Sequence, residues 1–113
     1  MVTIESGWEK LYLAVLTLAT GTGSLRDRLA DAYVNAVIRV HKDDVPAGSE
    51  ERLVRLRDRL TRYRANGDEG DLARTLNLID DEEISKAAEE IVHLFDDVAR
   101  AFGARERREE EGV

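Results

Sequence analysis

The sequence predicts an all-α protein, a compact bundle of four to five helices forming a single domain over residues 1–103, followed by a charged tail at 104–113 that is frayed or disordered. Three observations predict it. Apolar residues recur every three to four positions through most of the chain. Serine and aspartate stand where helices would begin. Pro46 is the sole proline and the β-branched residues show no sustained period-two alternation, so strands have little support. A length of 113 residues suits one hydrophobic core, and 42% apolar residues exclude a disordered chain.

Taken in order, Ser6-Gly7-Trp8-Glu9 reads as a capping box that opens the first helix, and Trp8, Leu11, Tyr12, Val15, Leu18 and Ala19 follow at helical spacing. Gly21 is expected to end this helix in the left-handed conformation. Ser24, with Asp27 near the positive end of the dipole, caps a second helix whose apolar face is Leu25, Leu29, Tyr33, Ala36, Val37 and Val40. That helix is expected to stop near His41-Lys42, and the short turn before it implies an antiparallel hairpin. A third helix is expected from Glu50 to Arg64, with Leu53, Leu56, Leu60 and Tyr63 on a short heptad seam. Ala65-Asn66-Gly67 ends it, a loop runs through Asp71, and a short helix covers Leu72 to Leu78. Asp80 and Glu83 form a second capping box, with Ile79 and Ile84 as a hydrophobic staple. The inner stripe of this last helix is Ile84, Ala88, Ile91, Phe95, Val98 and Phe102, widened by Ala87, Leu94 and Ala101, and Gly103 is expected to end it.

Composition narrows the function. Cysteine is absent, which removes disulfides, thiolate nucleophiles and cysteine-based zinc sites and fits a reducing, cytoplasmic setting. The stretch Leu11 to Ala19 is far short of the roughly 20 residues a membrane span needs. Glu5 and Glu9 precede it where a signal peptide carries positive charge. The net charge of −7 is uneven: residues 46–66 hold six bases against three acids, and residues 67–103 three bases against eleven acids.

Several motifs invite a chemical reading. Glu90-Ile91-Val92-His93 has the Glu-x-x-His spacing of di-iron bundles, but His93 falls on the face opposite Ile84, Ile91 and Phe95. Glu82–Lys86, Glu89–His93 and Asp96–Arg100 read instead as i,i+4 pairs on a solvated face. Gly21-Thr22-Gly23-Ser24 leads into a helix beside Arg26 and Arg28, which suggests anion binding, yet it follows a helix and lacks the phosphate-loop lysine. Asp68, Glu69 and Asp71 depart from the calcium-loop pattern. With His41 and His93 as the only histidines and no Gly-x-Ser-x-Gly elbow, a non-catalytic protein without metal or other cofactor is expected.

Two charged surfaces remain. The acidic pairs Glu82/Glu83, Glu89/Glu90 and Asp96/Asp97 recur every seven residues, about 10 Å apart along a helix. Such a ladder can imitate nucleic-acid phosphates and steer a basic protein onto it. Arg52, Arg55, Arg59 and Arg62, with Arg57 and Arg64, crowd the third helix and form the alternative, basic surface. Nucleic acid is not the expected partner, because the protein is acidic, Glu50, Glu51 and Asp58 dilute the cluster, and Tyr63 alone offers a stacking surface. Arg52 and Arg59 flank the leucine seam, where they can pair with the protein's own acids. The leading expectation is therefore an adaptor or regulatory protein that binds another protein through its helical surface. The alternative is an acidic inhibitor, or nucleic-acid mimic, of a basic nucleic-acid-handling protein. The apolar face of the last helix is wider than one neighbour usually covers, which predicts a symmetric homodimer unless the first two helices cover it from both sides.

Overall fold

A computed structural model describes residues 3–65 and 70–112. Among them five α-helices form the expected all-α bundle: α1 (Ile4–Thr20), α2 (Leu25–Asn35), α3 (Glu50–Leu60), α4 (Asp71–Leu78) and α5 (Asp81–Glu110). Two short 3₁₀ turns, Val37–Arg39 and Lys42–Asp44, connect α2 to α3. At 1.5 Å per residue α5 is about 45 Å long, so it sets the 54 Å long axis of the molecule. It is the spine against which α1, α2 and α3 pack. Ile84, Ala87, Ile91, Leu94 and Val98 supply its buried stripe and meet Leu11, Ala14, Leu29, Leu53, Leu56 and Leu60 in one core. Ala88, Phe95, Ala101 and Phe102, expected within that stripe, lie on its half-buried margins. Among the described residues no helix is long and apolar enough to cross a membrane.

The helix boundaries depart from the expected ones wherever a tertiary bond competes with a local signal. The N-cap of α1 is Thr3, whose hydroxyl accepts from the Ser6 amide at 3.0 Å, so Ser6 lies inside the helix. The cause is Asp44, a fully buried carboxylate that fixes Thr3 from across the fold. Its Oδ1 accepts from the Thr3 amide at 2.9 Å, and its Oδ2 accepts from the His41 amide at 2.8 Å and from Lys10 Nζ at 3.0 Å. Burial alone would raise its pKa, but the His41 amide, Lys10 and the Thr3 amide outweigh that and hold it below the ordinary carboxylate value. Gly7 makes the approach possible, because a Cβ there would overlap the backbone carbonyl of Asp44.

Gly21 does not end α1 in the left-handed region. Its backbone is extended (φ −64°), and Gly23 takes the positive φ of +92° that the turn needs. The capping box at Ser24 and Asp27 forms as expected. The second helix stops at Asn35, well before His41-Lys42. Arg57 reaches over from α3 and donates to the carbonyls of Val37, Ile38 and Val40, holding the chain in a 3₁₀ turn there. Burial pushes the neighbouring Tyr33 phenol above its ordinary pKa, with the Arg57 charge pulling the other way.

Helix α3 ends at Leu60 rather than Arg64. Leu53, Leu56 and Leu60 are buried as expected, but Tyr63 lies beyond the helix, exposed, with its amide donating to Thr75 Oγ1 at 3.0 Å. The expected stop at Asn66-Gly67 and the acidic loop residues Asp68 and Glu69 lie outside the described residues. Asp80 caps α5 by accepting from the Glu83 amide at 2.9 Å, while the Glu83 carboxylate turns away to Arg62, so only half of the expected box forms. Gly103 does not end α5, and the residues expected to fray are helical as far as Glu110. Arg105 holds this extension, lying 5.2 Å over the Phe102 ring and 3.6 Å from Glu5 of α1.

Candidate functional site: the charged faces and the α1–α5 seam

Neighbouring helix residues point about 100° apart, so the two members of each acidic pair on α5 face different ways. Glu83, Glu90 and Asp97 turn toward α3. Arg62 Nη2 lies 2.7 Å from Glu83 Oε2, and Arg52 lies 3.7 Å from Glu90 and 3.6 Å from Asp97. Ser49, just before α3, adds a hydrogen bond from its hydroxyl to Asp97 Oδ2 at 2.9 Å. The inner half of the acidic ladder and two of the four arginines proposed as a basic surface thus lie against each other. Each group is about one-third exposed, so these pairs orient α3 on α5 more than they stabilise it.

Glu82, Glu89 and Asp96 form the outer row, exposed and paired along the helix with Lys86 at 3.4 Å, His93 at 3.4 Å and Arg100 at 3.0 Å. Glu90 and His93 consequently point apart, toward Arg52 and Glu89 respectively. On α3, Arg55 is exposed and Arg59 half-buried beside the leucine seam. A shallow, open depression around Glu50, Glu51, Val54 and Arg55 is flanked by both charge signs.

The arginines beside the Gly21–Ser24 turn are also engaged. Arg26 Nη1 donates to the carbonyls of Leu76 and Ile79, the latter at 2.9 Å, and its Nη2 to Asp81 at 2.9 Å. Arg28 Nη1 donates to the Leu18 carbonyl at 2.6 Å. These cations satisfy the C-terminal carbonyls of α4 and α1, groups a helix leaves unpaired. The charged groups lining a cleft of about 270 Å³ there, Arg26 and Asp81, are therefore already paired with each other.

One surface left partly open among the described residues is apolar. Where α1 runs antiparallel to α5, Trp8 stacks on Tyr12 with centroids 5.1 Å apart and planes 4° apart. Trp8 also meets Phe95 and Phe102 at 6.0 Å, and Tyr12 meets Phe95 at 6.2 Å. The cluster is not sealed. Tyr12, Leu16 and Val92 leave between 40% and 47% of their surfaces in solvent. Leu16 is one turn on from Tyr12, and Val92 one turn before Phe95, so they continue the same strip toward the other end of the seam.

No protein-family model matches the chain, and no curated protein or solved structure matches it either.

In the sequence Trp8 and Tyr12 share helical spacing with Leu11 and Leu18, and Phe95 and Phe102 share it with Ile84 and Ile91, so the open edge of the seam is not separated from the core by spacing alone. A signal for their position was present: Trp8, Tyr12 and Leu16 repeat at i, i+4 and i+8, on one side of the Leu11/Ala14/Leu18 stripe rather than within it.

Proposed function

We propose that this chain is a non-catalytic protein-interaction protein, an adaptor or regulator, which binds another protein through the apolar strip along the α1–α5 seam. One observation carries the reading: Tyr12, Leu16 and Val92 are exposed along the seam that holds the partly covered rings of Trp8, Phe95 and Phe102. Aromatic and large aliphatic side chains grouped on two rigid helices are what desolvated contact centres are made of. The charge pattern supports the choice of surface, since Glu83, Glu90 and Asp97 on one side and Arg52 and Arg62 on the other are engaged within the protein. The remaining outer acids, Glu82, Glu89 and Asp96, border the strip as a polar rim, the arrangement usual around an apolar contact centre. A cytoplasmic setting fits the lack of cysteine.

The test places a photo-crosslinking amino acid at Leu16 and, as a control, at Asp58 on the outer side of α3, and irradiates the protein in an extract of its native cells. Discrete protein adducts from position 16 and none from position 58 are expected. Equal labelling from both positions, or none from position 16, would overturn the reading.

A further inference from the structure

The outer edge of the strip carries a pattern that identifies its occupant. Glu82, Lys86, Glu89, His93, Asp96, Arg100 and Arg107 are all exposed and, with the half-buried Gly103, follow one another on α5 at alternating intervals of four and three residues. Those intervals place them in a single row on the helix surface. The spacing reads the same in both directions, and its centre falls between Leu94 and Phe95, level with the Tyr12–Phe95 contact. The charges do not read the same in both directions. Acids of one half are matched by bases of the other: Glu82 corresponds to Arg107 and Glu89 to Arg100, while His93 corresponds to Asp96 as a hydrogen-bonding partner and Lys86 to Gly103, which has no side chain.

A two-fold axis crossing a helix at right angles reverses its direction and keeps each flank on the same side, so a row of this kind meets itself antiparallel. We propose that the strip is covered by a second copy of this chain, docked antiparallel about a two-fold axis at the level of Leu94 and Phe95. Glu82 and Glu89 of each copy then lie opposite Arg107 and Arg100 of the other, with His93 opposite Asp96. Glu82 and Arg107 each lie about 19 Å from the axis at 1.5 Å per residue, so both ends of the row come into register together. The same axis brings Leu16 of one copy to the level of Trp8 of the other, because both are four residues from Tyr12. Phe95, Val92, Tyr12 and Leu16 thereby gain apolar cover at the centre, and the charged row forms the rim. The pairing also gives a role to the helical extension beyond Gly103, where Arg107 and Arg108 are exposed on a segment with no apolar residue of its own before Val113 other than Ala104.

The proposal rests on the strip being a protein-binding surface and names the protein that binds it. The experiment is sedimentation velocity of the full chain, from low micromolar to a few hundred micromolar at low salt. A concentration-dependent dimer is expected. Glu89→Arg alone and Arg100→Glu alone should each weaken it by about tenfold, because each sets like charges opposite at two symmetric places. The double variant should regain most of the wild-type association. Within one chain the reversed residues still face His93 and Asp96, so rescue in the double variant reports contact between copies and not helix repair. Tyr12→Ser combined with Leu16→Ser should abolish the dimer while leaving the far-ultraviolet circular dichroism unchanged. A chain that stays monomeric at the highest concentration, a dimer indifferent to Tyr12 and Leu16, or a double variant without rescue would each overturn the proposal. If the chain is monomeric yet a crosslinker at Leu16 captures a different protein, self-docking falls and the strip remains a binding surface. If neither occurs, both fall.

Discussion

Removing the Asp44 carboxylate should release the start of α1 from the turn before α3. In Asp44→Ala the amides of Thr3 and His41 lose their acceptor and Lys10 loses its buried counter-ion. An orphaned buried donor costs about 1–3 kcal/mol, and Lys10 and the Thr3 amide, being partly exposed, regain water, so the loss comes to about 3 kcal/mol. Asp44→Asn keeps one carbonyl oxygen but turns an NH₂ toward donors, and should cost about 2 kcal/mol. The effect depends on pH. Because the folded pKa lies below the ordinary carboxylate value, the unfolded chain takes up the proton first as pH falls. The stabilisation is complete above the ordinary value of about 4, and is lost as pH drops below it through the folded value. Urea unfolding followed by Trp8, the sole tryptophan, measures both effects. The difference between wild type and Asp44→Asn should be constant from pH 7 to 5 and shrink below pH 4. A cost of less than about 0.5 kcal/mol for Asp44→Ala, or a difference that does not change with acid, would refute the account of this network.

Three further outcomes follow from the packing. Gly7→Ala, which in an open helix would stabilise by up to about 1 kcal/mol, should instead destabilise by about 2 kcal/mol because the new Cβ displaces the Asp44 carbonyl; a raised melting temperature would contradict this. Arg57→Met keeps the aliphatic stem but frees the carbonyls of Val37, Ile38 and Val40, and should lose about 2 kcal/mol in urea unfolding, with amide exchange increased at residues 36–40. Neutralising Glu82, Glu89 and Asp96 to their amides should change stability by less than about 1 kcal/mol, since these ion pairs are exposed. If that triple variant also abolished binding to a basic protein while Tyr12→Ser and Leu16→Ser did not, the acidic-mimic reading would replace the one proposed above.

The sequence discloses whatever local chemistry decides. The Ser24–Asp27 box, the Asp80 cap, the Leu53/Leu56/Leu60 seam and the short helix before Ile79 are all visible as patterns, because the groups that satisfy them are a few residues away. Where the satisfying group is remote, the local pattern misleads. Ser6 and Glu9 spell a capping box, but Asp44, far along the chain, fixes Thr3 as the cap. The apolar period of α2 continues through Val37 and Val40, but Arg57 takes the carbonyls there and the helix breaks. Gly103 is a plausible stop, yet Arg105 stacked on Phe102 and paired with Glu5 carries the helix past it. The acidic pairs of α5 look like one ladder because adjacent residues are written side by side. On a helix they diverge, and the sequence alone does not say which member meets the arginines of α3. The strip is not legible in the sequence for a related reason: its rings share the core's spacing, and only the placement of α1 decides which of them are covered.

The central claim is that the α1–α5 strip is covered by protein when the molecule works. Trp8 lies in that strip, so acrylamide quenching of its fluorescence reads the cover directly, measured from sub-micromolar concentration to a few hundred micromolar. Protection of Trp8 should rise with concentration and be lost in Tyr12→Ser/Leu16→Ser. Quenching that is the same at every concentration and unaffected by those substitutions would contradict it.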